Sequence, residues 1–306
     1  MQMTSSIRRP AFALAAAGLL LAFWPQAAPA QMGAGVGEGG RIELPSTSEA
    51  ARAEFWSGLR SLNNIHFTAG RAQLAKALEL DESLGLARVL WATFAQIPTA
   101  QRDMELDRGV KDAAAGTPGE LAFAAAIRAQ TLNRQDEART LFAAAQDLLP
   151  NDPNVAYWAG FSTNPPGTPA YENALVWRNV TERFPEFAPA HNILAYTLYQ
   201  VGDEAAALEA VRTYARLVPD HPNPHDSYAE LLQWEGRLDE SAMHYQRAFE
   251  LDPTFVEAAV GLAEVRHLQG RGTEARTIIT SAIGHASTPQ VRTGLHRRLA
   301  LSYLMD

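Results

Sequence analysis

The sequence predicts an all-α protein built as an array of paired helices. Three stretches that begin at His191, His225 and Ala259 follow one another at intervals of 34 residues. Alanine recurs at 195, 229 and 263, glycine at 202, 236 and 270, and proline at 219 and 253. A small residue lets two helices cross closely, and glycine and proline end helices, so this period indicates stacked helical hairpins. The composition agrees, because 47% apolar and 20% charged residues are typical of a globular chain.

The first 30 residues are predicted to be a secretory signal peptide. Arg8 and Arg9 precede an apolar run over 11–24, and the small residues Ala28 and Ala30 follow it. This order of basic, apolar and small residues is that of an export signal. The run is shorter than the roughly 20 residues that a membrane helix needs, so an uncleaved anchor is the less favoured alternative. We expect cleavage after Ala30 and no membrane span in the mature chain.

The mature chain is expected to be acidic and free of disulfides. The sequence has no cysteine, so the fold must be held by its apolar core. Removing residues 1–30 leaves 24 basic and 34 acidic residues, a net charge of −10. That balance lacks the basic footprint of a nucleic-acid-binding protein. Residues 31–50 are rich in glycine and are predicted to be a flexible linker.

The array is predicted over residues 51–289 as about seven units. The period is strongest over 188–289, fair over 51–84 and 119–152, and weak over 85–118 and 153–187. Residues 290–306 contain "VRTGLHRRLALSYL", which is predicted to be a charged capping helix.

With these positions in register, the chain resembles the tetratricopeptide repeat family. "EGRLDESAMHYQRAFELDP", over 235–253, is the most similar piece. Tyr214 and Ser241 stand where the family has a small residue or alanine, and Gly70 also replaces that alanine. The resemblance implies a right-handed α-solenoid whose concave groove binds segments of other proteins. It implies neither an enzyme nor a cofactor.

The resemblance also implies which residues line the groove, because the first helix of each unit faces it in the family. Ordinary solvated helix faces are the alternative. The acids in this set would repel an acidic peptide, so the basic groove of some relatives is absent. The implied groove residues are Asn192, Tyr196, Tyr199, Gln200, Asp226, Glu230, Gln233, Trp234, Glu257, Glu264 and His267.

The stretch "HPNPHDSYAE", over 221–230, is the part of the chain that is densest in reactive side chains. We interpret it as a helix start, with Asn223 as the N-cap and Pro224 at the first helical position. A zinc site formed by His221, His225 and Asp226 is the alternative. Two prolines interrupt the helical spacing of these histidines, so no metal is expected there.

The sequence therefore predicts a periplasmic or secreted scaffold that binds a protein or peptide partner and is not an enzyme. A second hypothesis is a binding protein for a small polar or cationic ligand in the acidic, aromatic groove. A third is an enzyme that uses the region of His225, Asp226 and Glu230.

Overall fold

Fifteen α-helices account for the described part of the chain. The computed structural model describes residues 40–163 and 167–304, which contain no strand. The predicted signal peptide lies outside them, as do residues 31–39 of the predicted linker. The helices are α1 Glu49–Asn63, α2 Phe67–Leu80, α3 Gly85–Phe94, α4 Thr99–Ala113, α5 Pro118–Thr131, α6 Gln135–Leu148, α7 Pro153–Thr163, α8 Ala170–Arg183, α9 Ala188–Gln200, α10 Glu204–Leu217, α11 Pro222–Trp234, α12 Leu238–Leu251, α13 Val256–Leu268, α14 Gly272–Gly284 and α15 Pro289–Ser302.

The first fourteen helices form seven antiparallel hairpins, and α15 follows them. Each hairpin packs its first helix against its second, and each second helix packs against the next hairpin. This arrangement confirms the predicted α-solenoid of helix–turn–helix repeats. Among the described residues, no helix is both long enough and apolar enough to cross a membrane.

A small buried residue lies at one register position in the first helix of every hairpin. At Gly160, an added Cβ would lie 2.8 Å from the Trp177 ring of the second helix, so only glycine fits. Ser241, which departs from the family pattern, donates its hydroxyl to the Ala229 carbonyl at 2.7 Å. The seven small residues are Gly58, Ala92, Ala126, Gly160, Ala195, Ala229 and Ala263.

The second hairpin, which matches the period weakly, has a close backbone contact at a pair of glycines. An added Cβ at Gly85 would lie 2.1 Å from the backbone nitrogen of Ala113, and one at Gly109 would meet Val89. The backbones at the start of α3 and the end of α4 therefore approach each other closely, and this contact is additional to the buried Ala92.

The turn within the hairpin also follows the period, because one residue there has a positive φ. Gly202, Gly236 and Gly270 have φ values of 85°, 73° and 73°. Asn133, at 59°, holds the same position in the third hairpin, and Ile65, at 63°, holds it in the first. A β-branched residue is strained in this conformation, whereas asparagine tolerates it.

Ile65→Asn is expected to raise the free energy of unfolding by about 1 kcal/mol, because it relieves that strain. The reverse change, Asn133→Ile, is the matched control and should lower it by a similar amount. Urea denaturation of both variants checks the pair. Two unchanged midpoints would contradict the assignment of strain to Ile65.

The segment before α1 differs from the flexible linker predicted over 31–50. Ile42 is 5% exposed, and its N–H donates to Asp152 Oδ2 at 3.0 Å. The Gly40 carbonyl accepts from the Asn151 N–H at 2.9 Å. Residues 40–42 therefore lie against the loop between the third and fourth hairpins. Glycine content alone could not reveal Ile42 as an apolar anchor.

Candidate functional site

The predicted groove residues lie on α9, α11 and α13, and two positions match on all three helices: Tyr196, Glu230 and Glu264, and Tyr199, Gln233 and His267. Tyr196 donates its hydroxyl to Glu230 Oε2 at 2.6 Å, which links α9 to α11. The Trp234 ring lies 5.9 Å from the Tyr196 ring and 4.8 Å from the Tyr199 ring. Gln233 accepts a hydrogen bond from the Tyr245 hydroxyl at 3.1 Å. We call Tyr196, Asp226, Glu230, Trp234, Glu257 and Glu264 the acidic–aromatic face.

The carboxylates of this face act on one another. Burial raises the pKa of Asp226 well above its usual range, and the charges of Glu230 and Glu257 raise it further. Burial also raises the pKa of Glu230, and the Tyr196 hydrogen bond offsets part of that shift. Among the described residues, no basic side chain forms an ion pair with Asp226, Glu230 or Glu257. The face therefore brings four carboxyl groups together, and among the described residues only Glu264 has a basic partner.

The remaining predicted groove residues are placed differently. Asn192 is 2% exposed, and its Oδ1 has no hydrogen-bond partner among the described residues. His267 is half-buried and also has an unpaired ring nitrogen in the described structure, whereas Gln200 is exposed. Glu264 pairs with Arg298 of α15 at 2.6 Å. The structure thus brings Tyr196, Tyr199, Glu230 and Trp234 into contact with one another through Tyr196 and Trp234, whereas Gln200 is exposed to solvent.

The helix start at 221–230 differs from the prediction in its cap. α11 begins at Pro222, and its N-cap residue is His221, whose side chain makes no capping hydrogen bond. Asn223 lies inside the first turn and donates its Nδ2 to the Tyr214 hydroxyl at 3.0 Å. The prediction that Asn223 caps the helix is therefore wrong. The first of the two prolines, and not the second, occupies the first helical position.

His225 of α11 forms a hydrogen bond to the loop that precedes this helix. Its Nε2 donates to the Pro219 carbonyl at 2.9 Å, and His191 makes the same bond to Pro185 at 2.8 Å one repeat earlier. This confirms that His191 and His225 occupy one structural slot. Because His225 Nε2 carries the proton, its Nδ1 accepts from His244 Nδ1, 3.3 Å away.

The histidine pair has the geometry of a hydrogen bond and not of a zinc site. The ring centroids are 5.6 Å apart, so the two nitrogens lie near the line that joins the rings. A zinc site needs at least three protein ligands, and this pair supplies two. Burial, with the electrostatic effect of the neighbouring His225, lowers the pKa of His244 to about 4. Among the described residues, no group of three potential ligands is placed to hold a metal ion.

Sequence reasoning missed the turn between α1 and α2, which reaches distant hairpins. Asn63 Oδ1 accepts from Trp158 Nε1 at 3.0 Å, and Asn64 Oδ1 accepts from the Tyr214 hydroxyl at 2.9 Å. His66 Nε2 lies 2.8 Å from Asp252 Oδ2. We call Asn63, Asn64 and His66 the closing turn. Tyr214, in a slot where the family has a small residue, was the one sequence signal for it.

The comparisons with known proteins agree with the fold. The tetratricopeptide repeat model matches residues 235–297. No curated protein matches the chain in sequence.

Three solved structures illustrate the likeness. Yeast Tom70 is 17% identical over 84% of this chain and 56% of its own, with a TM-score of 0.61. A chain of the APC/C hetero-tetramer Cut9–Hcn1 is 16% identical over 83% of this chain and 48% of its own, with a TM-score of 0.58. A tetratricopeptide repeat protein from Thermus thermophilus is 22% identical over 61% of this chain and 99% of its own, with a TM-score of 0.49. The chain spans about half the length of the first two, and identities this low establish the fold alone.

Proposed function

Because the chain is a tetratricopeptide-repeat protein, we propose that it is a non-catalytic scaffold that binds a segment of another protein. The observation that carries this proposal is the acidic–aromatic face on α9, α11 and α13. Aromatic rings offer large contact areas at low entropic cost, and amides and carboxylates offer hydrogen bonds to a bound chain. Tyr196, Trp234 and Gln233 supply these groups at consecutive repeats.

The absence of catalysis in this proposal is supported by how the candidate side chains are engaged. His225 bonds to Pro219 and His244, while Asp226 interacts with Glu230 and Glu257. A general base must lie within hydrogen-bond reach of the group that it deprotonates. In the described structure, no hydrogen bond or ion pair joins His225 to Asp226 or Glu230.

The test is affinity capture with matched variants. The immobilised protein is incubated with an envelope extract, beside a Tyr196→Ala/Trp234→Ala variant and a Tyr171→Ala/Leu175→Ala control. Tyr171 and Leu175 are 59% and 57% exposed and lie on α8, away from the face. A partner retained by the parent and the control but lost by the first variant is expected. Equal retention by all three folded proteins would contradict the proposed face.

We further propose that the protein acts in the periplasm or outside the cell. Arg8 and Arg9, the apolar run at 11–24 and the small residues up to Ala30 support export. N-terminal sequencing of the exported protein is expected to begin at Gln31. A chain that starts at Met1 and stays in the membrane fraction would contradict this prediction.

A further inference from the structure

We propose that the acidic–aromatic face recognises a lysine or arginine side chain of the bound segment. This inference rests on the proposed function and adds the chemical class of the partner. It concerns the part of the face where α9 and α11 meet.

The first support is charge. Asp226 and Glu230 are four residues apart on α11 and so lie on one side of that helix. Glu257 and Glu264 add negative charge from α13. Within the described chain, the only basic partner of this group is Arg298, which pairs with Glu264. A bound cation supplies the basic partner that Asp226 and Glu230 lack in the described structure, and it favours their ionised forms.

The second support is the unpartnered acceptor of Asn192. Asn192 occupies the position of Asp226 one repeat earlier, and Tyr196, one turn further along α9, reaches Glu230. The Asn192 carboxamide therefore lies on the side of α9 that faces those carboxylates. Buried acceptors are almost always hydrogen-bonded, so this bare oxygen indicates a missing donor. An ammonium or guanidinium group is a donor without acceptors and fits this place.

The third support is aromatic. The Trp234 ring contacts the rings of Tyr196 and Tyr199, and Tyr196 bonds to the Glu230 carboxylate. Cations bind favourably over the faces of such rings within about 6 Å of the ring centre. Carboxylates, a bare amide oxygen and aromatic rings together favour an organic cation over an apolar or anionic group.

A protein segment is the favoured carrier of that cation. Glu230 and Glu264 occupy the same repeat position on α11 and α13, so acidic groups extend from one repeat to the next. An extended chain with more than one basic residue matches this arrangement. A free polyamine carries the same chemistry and is distinguished by the test.

The test measures binding of two labelled octapeptides by fluorescence anisotropy. One alternates lysine and glycine, and the other is the same peptide with every lysine acetylated, which removes only the charge. The parent is expected to bind the lysine peptide at least about tenfold more tightly than the acetylated one. Asp226→Asn/Glu230→Gln is expected to lose about tenfold or more of that affinity. Asp147→Asn/Glu182→Gln makes the same charge change at exposed sites on α6 and α8 and should lose less than about twofold.

Three outcomes would overturn the inference. If the lysine peptide and the acetylated peptide bind equally well, the lysine charge plays no role in recognition. If both double variants lose the same affinity for the lysine peptide, the effect comes from the net charge of the protein and not from this face. Spermidine binding that depends on Asp226 and Glu230, without lysine-peptide binding, assigns the face to a free cation. If affinity capture shows a partner that depends on Tyr196 and Trp234 but survives Asp226→Asn/Glu230→Gln, this inference fails and the proposed scaffold function stands.

Discussion

Replacing Tyr214 with alanine is expected to lower the free energy of unfolding by about 4 kcal/mol. Tyr214 is fully buried, and truncation of a buried aromatic ring leaves a cavity that the helices cannot fill. The change also removes the partner of Asn64 and Asn223, which are 2% and 4% exposed. Urea denaturation followed by circular dichroism measures the loss.

Tyr214→Phe separates the hydroxyl from the ring. It is expected to cost about 1–3 kcal/mol, because two buried amides lose their hydrogen-bond partner. Tyr171→Phe, at an exposed tyrosine that bonds to Glu172, is the control and should change stability by less than about 0.5 kcal/mol. If Tyr214→Phe were as neutral as the control, the contact with Asn64 would not stabilise the fold.

Replacing Glu120 with glutamine is expected to stabilise the protein by about 3 kcal/mol above pH 7 and to change little at about pH 4.5. Glu120 is fully buried, and no side chain among the described residues donates a hydrogen bond to its carboxyl oxygens. Burial raises the pKa of Glu120 to about 7, and the backbone of Leu86 offsets only part of that shift. The difference between this pKa and the ordinary value of 4.5 corresponds to about 3 kcal/mol.

The direction in which stability changes with pH depends on whether the folded or the unfolded chain binds the proton more tightly. Between pH 4.5 and about 7, the unfolded chain ionises Glu120 while the folded chain keeps it protonated, so stability falls as pH rises. Above about pH 7 both states are ionised and the full penalty remains. Glutamine has no such titration. Denaturation of parent and variant at about pH 4.5, 6 and 8 should show a difference that grows with pH, and a constant difference would contradict it.

The sequence was sufficient to predict the hairpins because their contacts repeat. Ala195, Ala229 and Ala263 mark helix crossings, and Gly202, Gly236 and Gly270 mark turns with positive φ, as their spacing indicated. Nearest-neighbour packing imposes the same requirement on every repeat. The prediction was least successful over 85–118, where the match to the period is weak and a glycine pair allows a close backbone contact.

The non-periodic contacts could not be predicted in this way. A repeat pattern describes how a unit meets its neighbour, and it carries no information on a bond such as that between Asn64 and Tyr214. Asn223 is an example, because its sequence context is that of a helix cap, whereas its side-chain amide donates a hydrogen bond to the Tyr214 hydroxyl. The acidic–aromatic face was predicted residue by residue from the resemblance, whereas the coupling of its carboxylates depends on burial and distance.

The closing turn has a consequence for how the chain folds during synthesis. Asn64 leaves the ribosome 150 residues before Tyr214, an interval of about 8–30 s at roughly 5–20 residues per second. Contacts so far apart in sequence slow folding, since the intervening loop must be ordered before they form. During that interval the unpaired groups of the turn are two amides and an imidazole, which water solvates well. The nascent first hairpin therefore exposes hydrated polar groups at Asn63, Asn64 and His66 until its distant partners have been synthesised.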